Sequence, residues 1–342
     1  MDFQLSDDQR ALQEGIRSLI NGAISLEEIR TKEGADDTVE KAWWDALNDA
    51  GVFSLLVAEQ DGGVGLSLAD GVVVAEELAR GLVPGPLLST MVLGPGLAEA
   101  AGGMPIALID QQSPNSAVPL LLEHPQTVKS IVVLPHMGDA AGQCRRLDPS
   151  TLTLSMVDEP LDPLTPLAVV QGTLPEGEAI DGLDAVGLRQ RSLVLLGAAQ
   201  VGIAEVTVEL AVEYAKGREQ FGRPIGSFQA VKHLLADALC RTELARSACW
   251  AAAVTLDNND VATRESDTLS CSPGEVRWRV AAGAKMLADD AALANARTAI
   301  QVYGGMGFTW EVPIHLYLKR ARVLAQTLAT RTQLADLLSA LI

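Results

Sequence analysis

The sequence predicts an α+β protein that is mainly α. Three observations predict it: helical periodicity at both ends, a proline-punctuated middle with short β-type runs, and enough apolar residues to fill a large core. The chain has 342 residues, 48% of them hydrophobic, which is too long for one ordinary core and suits one large architecture or two to three packed domains. On texture, the expected boundaries are 1–103 (N-terminal helical), 104–185 (a small middle β-domain) and 186–342 (C-terminal helical bundle).

From residue 6 to 97, Leu12, Ile16, Leu19 and Ile20 recur at helical spacing behind Ser6, an N-cap candidate followed by Asp7 and Asp8. A second helix carries Trp44 and Leu47 and ends at Gly51; a glycine-rich turn through Gly62, Gly63 and Gly65 follows, then a helix around Glu76–Ala79. Between Met104 and Leu183 lie ten prolines, and the nine from Pro105 to Pro166 break any long helix. Strand candidates survive there at 131–134, 152–156 and 167–170. From Gly187 onward alanine-rich amphipathic helices return, interrupted near 222–227, 257–274 and 304–307.

With 44 acidic against 26 basic residues the net charge is −18, which opposes binding to nucleic-acid phosphates or anionic lipid. No run approaches the roughly 20 apolar residues of a membrane span, and the opening MDFQLSDDQRALQ lacks the layout of a secretory signal. A cytoplasmic location is the expectation. Cys144, Cys240, Cys249 and Cys271 form no CxxC pair, so they read as buried free thiols, and the four histidines lie apart, so no metal site is expected. The segment 257–260 lacks the glycine and distal glutamate of a calcium loop and reads as a polar connection. Lys319, Arg320 and Arg322 read as a solvated or subunit-contacting helix face.

Two motifs carry chemistry. In the first, Arg218 ends a helix whose apolar face includes Val206, Leu210 and Tyr214, and Phe221-Gly222-Arg223-Pro224-Ile225-Gly226 cannot continue that helix. Such a junction presents a fork-shaped guanidinium to a pyrophosphate, with Phe221 and Ile225 as flat or apolar surface for adenine or ribose. A helix hairpin with a capping arginine is the alternative. In the second, Gln301 to Gly305 closes a helix starting near Glu275, and its paired glycines permit close backbone approach and positive φ.

Taken together, YAKGREQFGRPIGSFQAVKHLLAD (214–237) and QVYGGMGFTWEVP (301–313) resemble the flavin-binding and C-terminal glycine signatures of acyl-CoA dehydrogenases. Residues 44–66 and Glu76-Glu77-Leu78 are similar to N-terminal elements of that family. The resemblance implies the acyl-CoA dehydrogenase fold, with a C-terminal four-helix bundle, and FAD as cofactor. It implies that Arg218, Gln220, Phe221, Ile225 and Gln229 hold the adenosine diphosphate half of the FAD of a neighbouring subunit. Gln301, Gly304 and Gly305 would line the same pocket, while Glu311 and Pro313 would be structural.

The chain departs from the family at the chemistry. The family's usual base lies seventeen positions beyond the motif glutamate Glu311, which here is Leu328, and the alternative position on an earlier helix is Ser192. Neither can take the α-proton of an acyl-CoA. The TEP..GSD-like segment that holds the flavin ring is not found between Met104 and Leu183, a stretch without tryptophan; 107–114 is its nearest and poor match. The resemblance therefore implies a non-catalytic subunit with no catalytic residue of its own, sharing FAD with a catalytic acyl-CoA dehydrogenase subunit in an α2β2 heterotetramer. Electrons would pass to an electron-transfer flavoprotein or another acceptor, and CoA esters of steroid side chains are the implied substrates. Two alternatives stay open: a self-sufficient homotetramer with a displaced base, and a flavin-free scaffold of the same fold.

Overall fold

The computed structural model describes residues 4–111, 119–137, 139, 142–258 and 272–341. Pro114, Asn259, Asp260 and Cys271, which entered the sequence expectations, lie outside these residues. The chain divides into two compact units, one of Met1–Ile16, Val72–Leu82 and Leu193–Ile342, the other of Arg17–Gly71 and Val83–Ser192. Three helices contribute residues to both: α1 (Asp7–Ala23), α4 (Leu68–Arg80) and α7 (Ala185–Gly217).

The unit containing the strands also holds α2 (Leu26–Arg30), α3 (Lys41–Asp49), α5 (Leu87–Leu93) and α6 (Ala98–Ala101). Helix α3 buries Trp43, Trp44 and Leu47 and is released by Gly51 at φ 78°, as the glycine predicted. Trp44 stacks on Phe53 with ring centroids 4.4 Å apart, and its indole N–H donates to Gly103 O at 2.6 Å.

Among the described residues seven strands follow: β1 (Ile106–Asp110), β2 (Leu121–Glu123), β3 (Ser130–Leu134), β4 (Arg145–Leu147), β5 (Thr153–Met156), β6 (Leu167–Gln171) and β7 (Glu178–Ala179). They form two sheets, β1-β3-β4-β7 and β2-β6-β5; β1 and β3 pair parallel, the other neighbours antiparallel. Alternating residues of both sheets, among them Ile109, Ile131, Val133, Leu122 and Val170, meet in one apolar core. The three predicted strand regions are β3, β5 and β6; the other four strands carry too few residues for a readable alternation or were overlooked beside prolines.

The second unit is built from α7, α8 (Gln229–Asp257), α9 (Pro273–Tyr303), α10 (Ile314–Leu324) and α11 (Arg331–Ala340), with the ends of α1 and α4 that belong to it. Small residues line the contacts: Gly197 of α7 lies so close to α8 and α9 that a Cβ there would sit 3.0 Å from Cys249 Sγ and 3.5 Å from Lys285 Cα. Helix α9 starts at a reciprocal Ser272–Glu275 capping box, and α1 behind Ser6, whose hydroxyl accepts from Gln9 N–H at 3.1 Å.

A polar cluster is sealed inside this unit. Lys285 Nζ donates to Asp289 Oδ2 at 2.8 Å and to Leu324 O at 3.2 Å, while Gln200 Nε2 donates to Asp289 Oδ1 at 2.8 Å and Ala321 O at 2.9 Å. The lysine thereby ties down the last turn of α10. Burial pushes the Asp289 carboxyl up and the Lys285 ammonium down, each opposed by the ion pair between them.

Among the described residues α7 alone is long and apolar enough to cross a membrane, and 83% of its most apolar window is buried by the protein, as in a core helix. Of the thiols, Cys144 and Cys249 are buried but Cys240 is exposed, contrary to the sequence expectation. Arg320 is buried too, so the 319–322 cluster is not one solvated face.

Candidate functional site

Helix α7 ends at Gly217, and Arg218 N–H still donates to Tyr214 O at 2.8 Å. A tight hairpin follows, β8 (Glu219–Gln220) against β9 (Arg223–Pro224). Its two central residues, Phe221 at φ 55° and Gly222 at φ 75°, both take the left-handed conformation that a two-residue hairpin turn of this hand requires. Ile225 N–H closes the turn on Arg218 O at 2.8 Å, and Gly226 passes so near α7 that a Cβ would lie 3.0 Å from Ala215 O. Helix α8 then starts at Gln229, whose side-chain amide lies 3.3 Å from His233 Nε2.

The hairpin presents its aromatic outward. Phe221 is 92% exposed; it meets Phe228 edge-on at 6.1 Å, and Phe228 in turn carries Arg223 over its face at 4.1 Å. An uncovered phenyl ring on a left-handed backbone position is costly in isolation.

The second motif lies at the end of α9. Gly304 breaks the helix at φ 60°, ψ −134°, a conformation only glycine adopts readily, and a Cβ on Gly304 or Gly305 would meet nothing within 4 Å. The glycines therefore serve backbone shape and outward access rather than close packing within this chain. Tyr214 and Tyr303 stack with centroids 4.1 Å apart and planes 14° from parallel, and Tyr303 OH donates to Leu210 O at 3.3 Å. That stack brings the two motifs together, since Arg218 lies one turn past Tyr214 and Gly304 follows Tyr303.

Of the residues singled out from sequence, Arg218, Gln220, Phe221, Gln229, Gln301, Gly304 and Gly305 are exposed and Ile225 is half-buried. Gln220 donates to Glu219 O at 2.7 Å. The side chains of Arg218 and Gln301 make no hydrogen bond or ion pair among the described residues. Sequence reading missed Tyr303, Phe228 and Arg223 as organisers, although an aromatic next to each motif was there to be noticed. Among the described residues the arrangement offers a guanidinium without a hydrogen bond or ion pair, amide donors, glycine backbone and an exposed ring. That set suits an anionic group joined to an aromatic one, and FAD's adenosine diphosphate half fits it chemically.

No carboxylate stands at either expected base position. Leu328 is half-buried in the α10–α11 connection at φ 62°, and Ser192 is buried in α7, its hydroxyl donating to Leu188 O at 2.8 Å. The carboxylates flanking Ser192 in sequence are occupied: Asp184 accepts from Val186 and Gly187 N–H at the start of α7, and Glu205 pairs with Arg80 at 2.8 Å and Arg246 at 2.9 Å. In the strand unit, Asp110 of the 107–114 segment pairs at 2.5 Å with Arg189, which also donates to Pro135 O at 2.6 Å. Burial pushes the Asp110 carboxyl up, opposed by that guanidinium. Asp110 thus anchors the start of α7.

Family models for the acyl-CoA dehydrogenase N-terminal and C-terminal domains match residues 6–102 and 190–327. The chain is 32% identical to acyl-CoA dehydrogenase IpdE2 of Mycobacterium tuberculosis over 94% of its own length and 93% of that protein's. This chain belongs to the acyl-CoA dehydrogenase family. Among the family's members it is also 35% identical to FadE34 of M. tuberculosis over 93% of this chain, but that match covers only 45% of FadE34. The acyl-CoA dehydrogenase fold is shared with the solved ChsE4–ChsE5 complex from M. tuberculosis, at a TM-score of 0.79, 21% identity and coverage of 99% of this chain and 98% of that one. Membership makes the chain part of an oxidoreductase family in which FAD is the cofactor.

Proposed function

We propose that this chain is the non-catalytic subunit of an FAD-dependent acyl-CoA dehydrogenase, completing the FAD site of a catalytic partner in an α2β2 assembly. The observation that carries this reading is one contrast. Arg218 and Gln301 are exposed with no side-chain hydrogen bond or ion pair among the described residues and Phe221 stands outward, whereas Leu328 and Ser192 occupy both places where a base is expected. Bound FAD supplies the acceptor for the β-hydride in α,β-dehydrogenation of an acyl-CoA thioester. In this reading Arg218 would hold the pyrophosphate, Gln220, Gln229 and Gln301 would offer amide donors around it, Phe221 and Ile225 would face the adenosine, and Gly304 and Gly305 would line the same pocket. The base comes from the partner.

Two similarities support a two-component assembly. The ChsE4–ChsE5 neighbour is a complex of two named proteins, and in FadE34 a stretch like this chain is joined to further sequence of comparable length. Electrons then leave for an electron-transfer flavoprotein or another acceptor. The steroid side-chain thioesters implied by the sequence resemblance are the first substrates to try.

Purification tests the reading. Alone, the chain is expected to be colourless and inactive; co-purified from its native host with the partner, it should be yellow and carry two flavins per tetramer. Four flavins per tetramer, or a yellow and active chain on its own, would overturn it. A chain that is colourless in every complex would favour the scaffold alternative instead.

A further inference from the structure

Within the helical unit, a cavity of about 70 Å³ lies between α1, α4 and α8, lined by Leu5, Gln13, Val73, Glu76, Arg246 and Trp250. Glu76 is 3% exposed, and its Oε2 accepts from Arg246 Nε at 3.0 Å. Its other oxygen, Oε1, is buried without a hydrogen-bond partner among the described residues, and so is the indole Nε1 of Trp250. Both residues line the same small space. A buried acceptor and a buried N–H are seldom left unpaired, and internal water is the usual partner where the room exists. At roughly 30 Å³ of liquid per molecule, this cavity has room for about two waters with Glu76, Trp250 and Gln13 as polar partners.

Glu76 belongs to a crowded group of charges. Its own helix contributes Glu77; α7 contributes Glu205, and α8 contributes Arg246, Glu243 and the Cys249 thiol. From helix α1 the neutral Gln13 lines the cavity. Arg246 is divided among Glu76, Glu205 at 2.9 Å and Glu243 at 2.5 Å. The other cation of the cluster, Arg80, is taken by Glu205 at 2.8 Å and Glu209 at 2.7 Å and lies 3.6 Å from Glu77. Arg246 and Arg80 thus share Glu76, Glu77, Glu205, Glu209 and Glu243, and Glu76 is the carboxylate of this set that lines the cavity.

We propose that this cavity is a hydrated proton site, in which ordered water bridges Glu76 Oε1 and the Trp250 indole N–H, and the Glu76 carboxyl takes up and releases its proton through that water. Bulk solvent is the source and sink of the proton, and no other bond changes. Burial pushes the Glu76 carboxyl up to about 7, opposed by Arg246 and assisted by Glu205, so exchange falls in the neutral range. An ionised Oε1 accepts from the water; a protonated one donates to it. The indole N–H donates in both states, so the water serves either form.

Infrared difference spectra of the assembled protein, stepped across neutral pH, test this. The expected result is a protonated-carboxyl C=O band that grows as pH falls, is missing from Glu76→Gln, and shifts in frequency in Trp250→Phe, which removes the donor while keeping an aromatic ring. The same band in Glu76→Gln, or no band, would overturn the proton site. An unshifted band in Trp250→Phe, or a high-resolution crystal structure with no water density between the two side chains, would overturn the bridge. Trp250→Phe keeps the test decisive if Glu76→Gln does not fold.

Discussion

Tyr214 lies flat on Tyr303 at 4.1 Å, and through this contact the end of α7 is held beside the end of α9. Both helices finish within a turn of the stack, so losing it frees two chain reversals at once. Tyr303→Ala is expected to destabilise the protein by about 2–3 kcal/mol, less than the value for a fully buried aromatic because the ring is half-buried. Tyr303→Phe keeps the stack and loses one hydrogen bond to Leu210 O, so it should cost only about 1 kcal/mol. Denaturant midpoints of the two variants check the order; equal losses would mean that the hydroxyl, not the stack, matters.

Arg218 offers the clearest test of the proposed dinucleotide site, because none of the described residues is bonded to its guanidinium. Arg218→Ala should weaken flavin retention in the complex by ~1.5–3 kcal/mol, the range for a hydrogen bond to a charged group, or roughly 10- to 100-fold. Arg218→Lys keeps the charge but not the fork and should fall between. Flavin released on dilution of the complex is the measurement, and an unchanged content in the alanine variant removes Arg218 from the site.

Helix ends were the most legible part of the fold. Ser6 marked a start through local capping chemistry, the helix expected near Glu275 starts at Pro273, and Gly51 and Gly304 marked ends through φ values that other residues resist. What stayed hidden depends on distant partners. The parallel pairing of β1 with β3, the burial of Arg320 beneath a basic-looking stretch, and the bond from Arg189 to Asp110 across 79 positions leave no local pattern. The candidate site divided in the same way: its motifs are short and local, whereas the tyrosine stack that joins them spans almost ninety residues.

Two glycines in long helices should respond oppositely to alanine. A Cβ at Gly202 of α7 would sit 2.1 Å from Glu76 O and 2.8 Å from its carbonyl carbon, both backbone atoms that cannot swing aside. Gly202→Ala must push α7 and α4 apart, and a loss of about 1–3 kcal/mol or more is expected. At Gly283 of α9 nothing lies within 4 Å, so Gly283→Ala should gain up to about 1 kcal/mol from helix propensity. Thermal melts of the two variants should move in opposite directions.

Glu76 also sets the sign of a pH effect on stability. Its carboxyl is pushed up to about 7 in the folded chain from an ordinary value of 4.5. Between those values the folded state holds a proton that the unfolded state has released, so this group's contribution falls as pH rises through that window. It is fully present below about 4.5 and lost above about 7, the reverse of a salt-bridged surface carboxylate. Asp110 and Asp289, also raised by burial, add slopes of the same sign. Glu76→Gln keeps the shape and one hydrogen-bond acceptor but binds no proton, so it should flatten the fall in denaturant midpoint between pH 5 and 7 while leaving the share of the two aspartates. A profile as steep as that of the unaltered protein would mean that Glu76 stays ionised throughout, with Arg246 outweighing its burial.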